Sequence, residues 1–184
     1  MKNDLERVLF SEAQIRETVQ RLGAQISRDY AGKKLLLVSI LKGAVVFMTD
    51  LMREITVPCA IDFMAVSSYG NEAKSSGVVR IIKDLDMPLE GYDVLIVEDI
   101  LDSGRTLNYI TGMLSDRHPN SIRICTLFDK PEGRKAPVDA DYVGMLVPNE
   151  FIVGYGLDYA EKYRNLPYIA VLKPEIYKRK ANKG

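Results

Sequence analysis

Two adjacent carboxylates, Glu98 and Asp99, close the apolar run Val94-Leu95-Ile96-Val97, and Asp102, Ser103, Gly104, Arg105 and Thr106 follow at once. Carboxylates accept hydrogen bonds from the hydroxyls of a sugar. The small, hydroxyl-rich turn after them runs into apolar residues at helical spacing, Leu107, Ile110 and Leu114. A turn that opens a helix offers backbone N–H groups and a positive dipole end to an anion. Acids for a ribose, then amides for its 5′-phosphate, make a ribose-phosphate clamp. Taken singly, Asp and Ser at such a place are ordinary helix caps. Acids at the end of a buried strand, however, need compensation, which a bound sugar and metal would supply.

Several elements must position that turn. Ser11 with Gln14 reads as a capping box, and Ile15, Val19, Leu22 and Ile26 continue it as one helical stripe that Gly32 stops. Leu35 to Leu41 is a continuous apolar run, as expected of a strand buried on both faces. Lys42-Gly43 turns into a second helix with Val45, Met48 and Leu51 inward. Ile61, Phe63 and Ala65 alternate with Asp62 and Met64 in a strand ending at Ser67-Ser68-Tyr69-Gly70. A polar loop to Gly77 precedes a returning strand, Val78 to Ile82. Ile122 to Phe128 and Tyr142 to Val147 are further strands. Strand and helix alternate from Leu35 to Leu127, which predicts an α/β fold: a doubly wound, mostly parallel sheet flanked by helices, with ligands at the strand C-terminal ends. The chain reads as one domain, with a core over about 33–148 and a small hood lobe from the N-terminal segment and about 149–184.

The segment VLIVEDILDSGRTL resembles the phosphoribosyl pyrophosphate signature of type I phosphoribosyltransferases, and its Glu-Asp-Ile-Leu-Asp-Ser-Gly form resembles the hypoxanthine-guanine branch. The resemblance extends from about Leu35 to Arg164, with three separated motifs in the family's order. It implies that Glu98 and Asp99 hold the ribose hydroxyls, and that Asp102, Ser103, Gly104, Arg105 and Thr106 hold the 5′-phosphate. Arg105 fills a position that varies among relatives. Leu41-Lys42-Gly43 would bind pyrophosphate together with Arg164, and Ser68 with Tyr69 would top a lid that excludes water from the reaction centre. Lys130 would donate to the 6-oxo group of a purine, Phe151 would stack on its face, and backbone groups of Ile152 and Asp158 would read its edge. Asp102 would serve as the catalytic base toward ring nitrogen 7. Mg2+ would be the cofactor, with Glu98, Asp99 and Asp158 as its carboxylate ligands.

The implied substrates are phosphoribosyl pyrophosphate and a 6-oxopurine, hypoxanthine or guanine. A lysine ammonium donates but cannot accept, so Lys130 disfavours the 6-amino group of adenine. The family forms homodimers and homotetramers.

Composition narrows the field. At 184 residues, with a hydrophobic fraction of 47%, the chain suits one well-buried domain. Its 25 basic and 25 acidic residues balance, so it shows no electrostatic footprint for nucleic acid. No apolar run approaches the roughly 20 residues of a membrane span, and the charged start MKNDLERVLF lacks a signal-peptide core. Cys59 and Cys125, without CxxC or histidine partners, read as reduced thiols of a cytoplasmic protein. One histidine, His118, excludes a histidine-built metal site.

Other readings remain. VLIVEDI also looks like the first strand of a response-regulator receiver, but no matching Asp and Lys at later strand ends follow in order. A phosphoribosyltransferase-fold RNA-binding regulator needs a basic face that the charge balance argues against. An enzyme preferring xanthine is the third.

Overall fold

The computed structural model describes residues 1–68 and 79–178. Along the chain run β1 (Leu5–Phe10), α1 (Glu12–Asp29), β2 (Leu35–Leu41), α2 (Val45–Glu54), β3 (Cys59–Ser68), β4 (Val79–Lys83) and β5 (Asp93–Leu101). There follow α3 (Arg105–Ser115), β6 (Ser121–Asp129), β7 (Tyr142–Leu146), β8 (Ile152–Val153), β9 (Ile169–Leu172) and α4 (Pro174–Lys178). Among the described residues two sheets form, a six-stranded one in the order β4-β3-β2-β5-β6-β7 and a three-stranded one in the order β1-β9-β8. In the larger sheet β3, β2, β5, β6 and β7 are parallel, and β4 lies antiparallel at the edge.

The order reverses between β2 and β5. The chain leaves β2 toward β3 on one side and later builds β5, β6 and β7 on the other. Loops leaving the C-terminal ends of β2 and β5 therefore part around a crevice, where open parallel sheets bind ligands.

The apolar run of β2 is used on both faces. Leu35 and Leu37 join the core formed with α1 and α2, whereas Leu36, Val38 and Ile40 join the core that holds Leu107, Ile110 and Leu114 of α3. Ser11 caps α1 reciprocally with Gln14, and Ile15, Val19, Leu22 and Ile26 are its buried stripe. The helix ends at Asp29, before Gly32, which instead turns the chain into β2 at φ +75°. One local expectation is corrected. The buried residues of α2 are Phe47, Met48 and Leu51, continued by its buried N-cap Ala44 at the i, i+3, i+4, i+7 spacing of one helix face, and Val45 lies beside them. In β3 the buried positions are Asp62 and Met64, while Ile61 is exposed. The Asp62 carboxylate is satisfied there by the N–H groups of Phe63, Asp86 and Met87 at 2.7–2.9 Å, which pin the segment leading to β5. The link from β3 to β5 carries β4, the returning strand expected over Val78 to Ile82, so the helix–strand alternation is interrupted there.

The smaller sheet joins β1 from near the start of the chain to β8 and β9 from its latter part. Val153, Tyr163, Leu166 and Leu172 make a separate small core beneath it. Among the described residues no helix is long and apolar enough to cross a membrane.

Candidate active site

Glu98 and Asp99 lie within β5, not in the loop after it: the strand continues through both to Leu101, pairing Glu98 with Thr126 and Leu101 with Asp129. The register that buries Val94–Val97 carries the acids into a place short of water. Asp99 is buried, and its Oδ1 accepts the N–H of Ile100 at 2.7 Å. Burial pushes its carboxyl up to about 6, against the pull of that hydrogen bond and of Arg164. Glu98 is half-buried as a residue, but its Oε2 is sealed from solvent and has no hydrogen-bond partner. Burial, then the charge of Asp99, push Glu98 well above the usual carboxylate range.

The loop after β2 packs onto these acids. The Leu41–Lys42 peptide is cis. Gly43 is required by contact rather than by conformation, since a Cβ there would overlap Asp99 Oδ2. Lys42 Nζ reaches Glu161 Oε2 at 3.1 Å. Arg164 extends toward the same loop: one guanidinium nitrogen donates to the Gly156 carbonyl at 2.8 Å and another pairs with Asp158 at 2.9 Å. Leu41–Gly43, Asp99, Asp158 and Arg164 thus form one group.

The second group surrounds the turn after β5. Gly104, at φ +74°, is the N-cap of α3, and the helix starts at Arg105, so Thr106 lies in its first turn. The Ser103 hydroxyl accepts the N–H of Arg105 at 3.5 Å. Lys130, just past β6, donates from Nζ to Asp102 Oδ2 at 3.0 Å and to the Glu150 carbonyl at 3.4 Å. The Lys130 side chain is only 12% exposed, whereas that of Asp102 is 48% exposed, so the pair is buried on the lysine side and open to solvent on the carboxylate side. Gly133 lies against Asp102, where a Cβ would overlap Oδ1.

Beyond Glu150, Phe151 is 36% exposed, with one flank edge-on to Tyr159 at 5.6 Å and a stack on Tyr177 of α4 at 4.9 Å. Its carbonyl accepts the N–H of Leu172. Ile152 is buried in β8 and pairs with Val171. Ser68 ends β3, and Tyr69, with the rest of the expected lid, lies outside the described residues.

A family model for the phosphoribosyl transferase domain matches residues 9–160. The chain belongs to the phosphoribosyltransferase family. Within that family it is 55% identical to the hypoxanthine-guanine phosphoribosyltransferase of Streptococcus agalactiae, over 97% of this chain and 99% of that protein. A hypoxanthine phosphoribosyltransferase structure from Staphylococcus aureus superposes with a TM-score of 0.93 at 55% identity, covering 96% of each chain. The chain is also 56% identical, over 96% of its length, to the bifunctional protein TilS/HprT of Listeria innocua, of which it spans 27%.

In this phosphoribosyltransferase the sequence motifs converge at the β2–β5 crevice, but residues outside the motifs hold them in place. Arg134 and Gly133 buttress the turn after β5, Glu161 bridges toward Lys42, and Tyr177 covers Phe151. None carries a sequence signal of its own. Gly133 and Arg134 stand in a Pro/Gly-rich link that reads as a loop, and Tyr177 in a short basic stretch.

Proposed function

We propose that this chain transfers the 5-phosphoribosyl group of phosphoribosyl pyrophosphate to hypoxanthine or guanine, giving IMP or GMP and pyrophosphate, a purine-salvage reaction. The observation that carries the reading is the Lys130–Asp102 pair: an ammonium and a carboxylate 3.0 Å apart, beside an amide-rich helix start. A 6-oxopurine presents an acceptor, O6, next to N7 on one edge, so a donor and an acceptor side by side match it. Adenine offers a second donor where Lys130 stands and leaves the ammonium unpaired.

The ribose hydroxyls lie on Glu98 and Asp99, and the 5′-phosphate on the backbone of Asp102 to Thr106 with the Ser103 and Thr106 hydroxyls. Lys42, Gly43 and Arg164 take the pyrophosphate. Nitrogen 9 attacks the anomeric carbon as the bond to pyrophosphate breaks, the electron pair leaving with pyrophosphate. The proton on nitrogen 7 passes to Asp102, help of a kind typically worth about 10²–10⁴-fold. Positive charge developing at the anomeric carbon is stabilised by the nearby carboxylates. Phe151 stacks on the base, Ile152 and Asp158 read its edge, and Ser68 with Tyr69 belong to the lid.

Mg2+ fits the donor set in part. The buried Asp99 beside the sealed, orphaned Oε2 of Glu98 suits a cation. Among the described residues, though, no three Asp, Glu, His or Cys side chains form a ready cage, and Asp158 is engaged by Arg164. Glu98, Asp99 and Asp158 would therefore hold the ion only together with the ligand's own oxygens, and it would supply positive charge to neutralise the pyrophosphate leaving group. The protein works in the cytoplasm as a homodimer or homotetramer; its free thiols Cys59 and Cys125 suit a reducing compartment.

A spectrophotometric assay with Mg2+, phosphoribosyl pyrophosphate and each of hypoxanthine, guanine, xanthine and adenine tests the reading, with Asp102→Ala as control. Turnover of hypoxanthine and guanine, absent with adenine and crippled in the variant, is expected. Preference for adenine would refute the Lys130 assignment, and no turnover of any base by folded protein would refute the activity.

A further inference from the structure

Arg134 belongs to no motif, yet it lies along the closed side of the turn after β5. One guanidinium nitrogen donates to the carbonyls of Leu101 at 3.1 Å and Asp102 at 2.7 Å, and another to Asp129 at 2.5 Å. The next carbonyl, that of Ser103, accepts the N–H groups of Lys135 at 2.9 Å and Ala136 at 3.1 Å. Val138 and the Arg134 stem close over Gly104, where a Cβ would overlap Val138. Three successive carbonyls are thus tied to one short segment between β6 and β7.

In a planar trans peptide the C=O and the following N–H point in opposite directions. Tying the carbonyls of Leu101, Asp102 and Ser103 to this segment turns the N–H groups of Asp102, Ser103 and Gly104 away from it. Amides presented together form a nest for an anion. We propose that Arg134 is a positioning residue that presets this nest, orienting the loop's amides toward a 5′-phosphate before any ligand arrives. It does so without touching a reacting atom.

An arginine suits the task because two carbonyls and a carboxylate need a rigid fork of donors; the point charge of a lysine cannot span them. The Arg134 and Asp129 side chains are only 17% and 16% exposed, so water competes little for the fork. A preset loop also spares the ligand the entropy of ordering it. This inference rests on the reading that the turn holds the 5′-phosphate.

The test compares binding of inosine 5′-monophosphate and inosine, by calorimetry, to the wild type, Arg134→Gln and Arg134→Lys. The wild type should prefer the monophosphate. In both variants that preference should fall by about tenfold or more, the scale of hydrogen bonds to a charged donor, with inosine affinity little changed. In turnover, KM for phosphoribosyl pyrophosphate should rise while KM for hypoxanthine holds. Three results would overturn the role. A wild-type preference retained by Arg134→Lys would make charge alone sufficient. Equal loss for both ligands would reduce Arg134 to a stabiliser of the fold. A wild type indifferent to the phosphate would sink the phosphate reading itself, and is seen before any variant is made. Thermal melting confirms folding, and Arg134→Lys alone carries the comparison if Arg134→Gln does not fold.

Discussion

Replacing Asp99 by Asn should stabilise the ligand-free protein while disabling its site. The Asp99 carboxyl titrates near 6 in the folded chain against an ordinary value of 3.8, chiefly because it is buried. The folded state therefore holds this proton more tightly than the unfolded chain does. Below about pH 4 the group is protonated in both states and costs nothing. As pH rises through 6, the folded protein must keep a buried carboxylate ionised. At about 1.4 kcal/mol per tenfold difference in proton affinity, that costs about 3 kcal/mol by pH 8. An asparagine amide still accepts the N–H of Ile100 but never ionises. Asp99→Asn should thus be more stable by up to about 3 kcal/mol at pH 8, and by less than about 1 kcal/mol at pH 4. Urea unfolding with a chelator present, at pH 4, 6 and 8, measures both limits. With magnesium and phosphoribosyl pyrophosphate added, the order should invert, because ligand binds the native wild type more tightly. No gain at pH 8, or a gain that persists undiminished at pH 4, would refute the assignment of the strain to this carboxylate.

Three further outcomes follow from the same geometry. Gly43→Ala places a Cβ onto Asp99, so kcat/KM for phosphoribosyl pyrophosphate should fall about 100-fold with the fold intact by circular dichroism; activity within twofold of wild type would show that the loop yields freely. Lys130→Met removes the donor to Asp102 and to O6, so kcat/KM for hypoxanthine should drop about 10- to 100-fold, the worth of a hydrogen bond to a charged group. Its discrimination against adenine, measured by competing the two bases, should narrow by a similar factor. Tyr177→Ala strips the stack from Phe151, and at about 0.5–1.5 kcal/mol for such a pair KM for the base should rise two- to tenfold, with Tyr177→Phe near wild type. An unchanged KM in Tyr177→Ala would make the α4 contact incidental to base binding.

Much of the site was legible because its chemistry is contiguous. Glu98, Asp99 and the Asp102–Thr106 turn stand together in the chain, and a strand followed by a helix sets their relative directions with little help from elsewhere. The Ser11–Gln14 cap and the two-faced run of β2 were legible for the same reason: local periodicity and capping depend on neighbours in sequence. The length of β5 was not. Its ladder with β6 carries the strand past Val97 and through both acids, and only the partner strand supplies those hydrogen bonds.

What the sequence by itself determined is the order of elements and the kinds of chemical group at each strand end. The tertiary structure decided which faces are buried and which distant residues meet. Alternation in β3 was plain from the sequence, but its inward face was not, since Asp62 is buried by donors from Asp86 and Met87, more than twenty residues away. Arg134 reaches the carbonyls of Leu101 and Asp102 across 33 and 32 positions, and Lys130 meets Asp102 across 28. A hydrogen bond between a side chain and a remote backbone carbonyl constrains neither the spacing nor the type of the residues between. It leaves no periodicity to read, and it exists only once parallel strands β5 and β6 bring their C-terminal ends side by side.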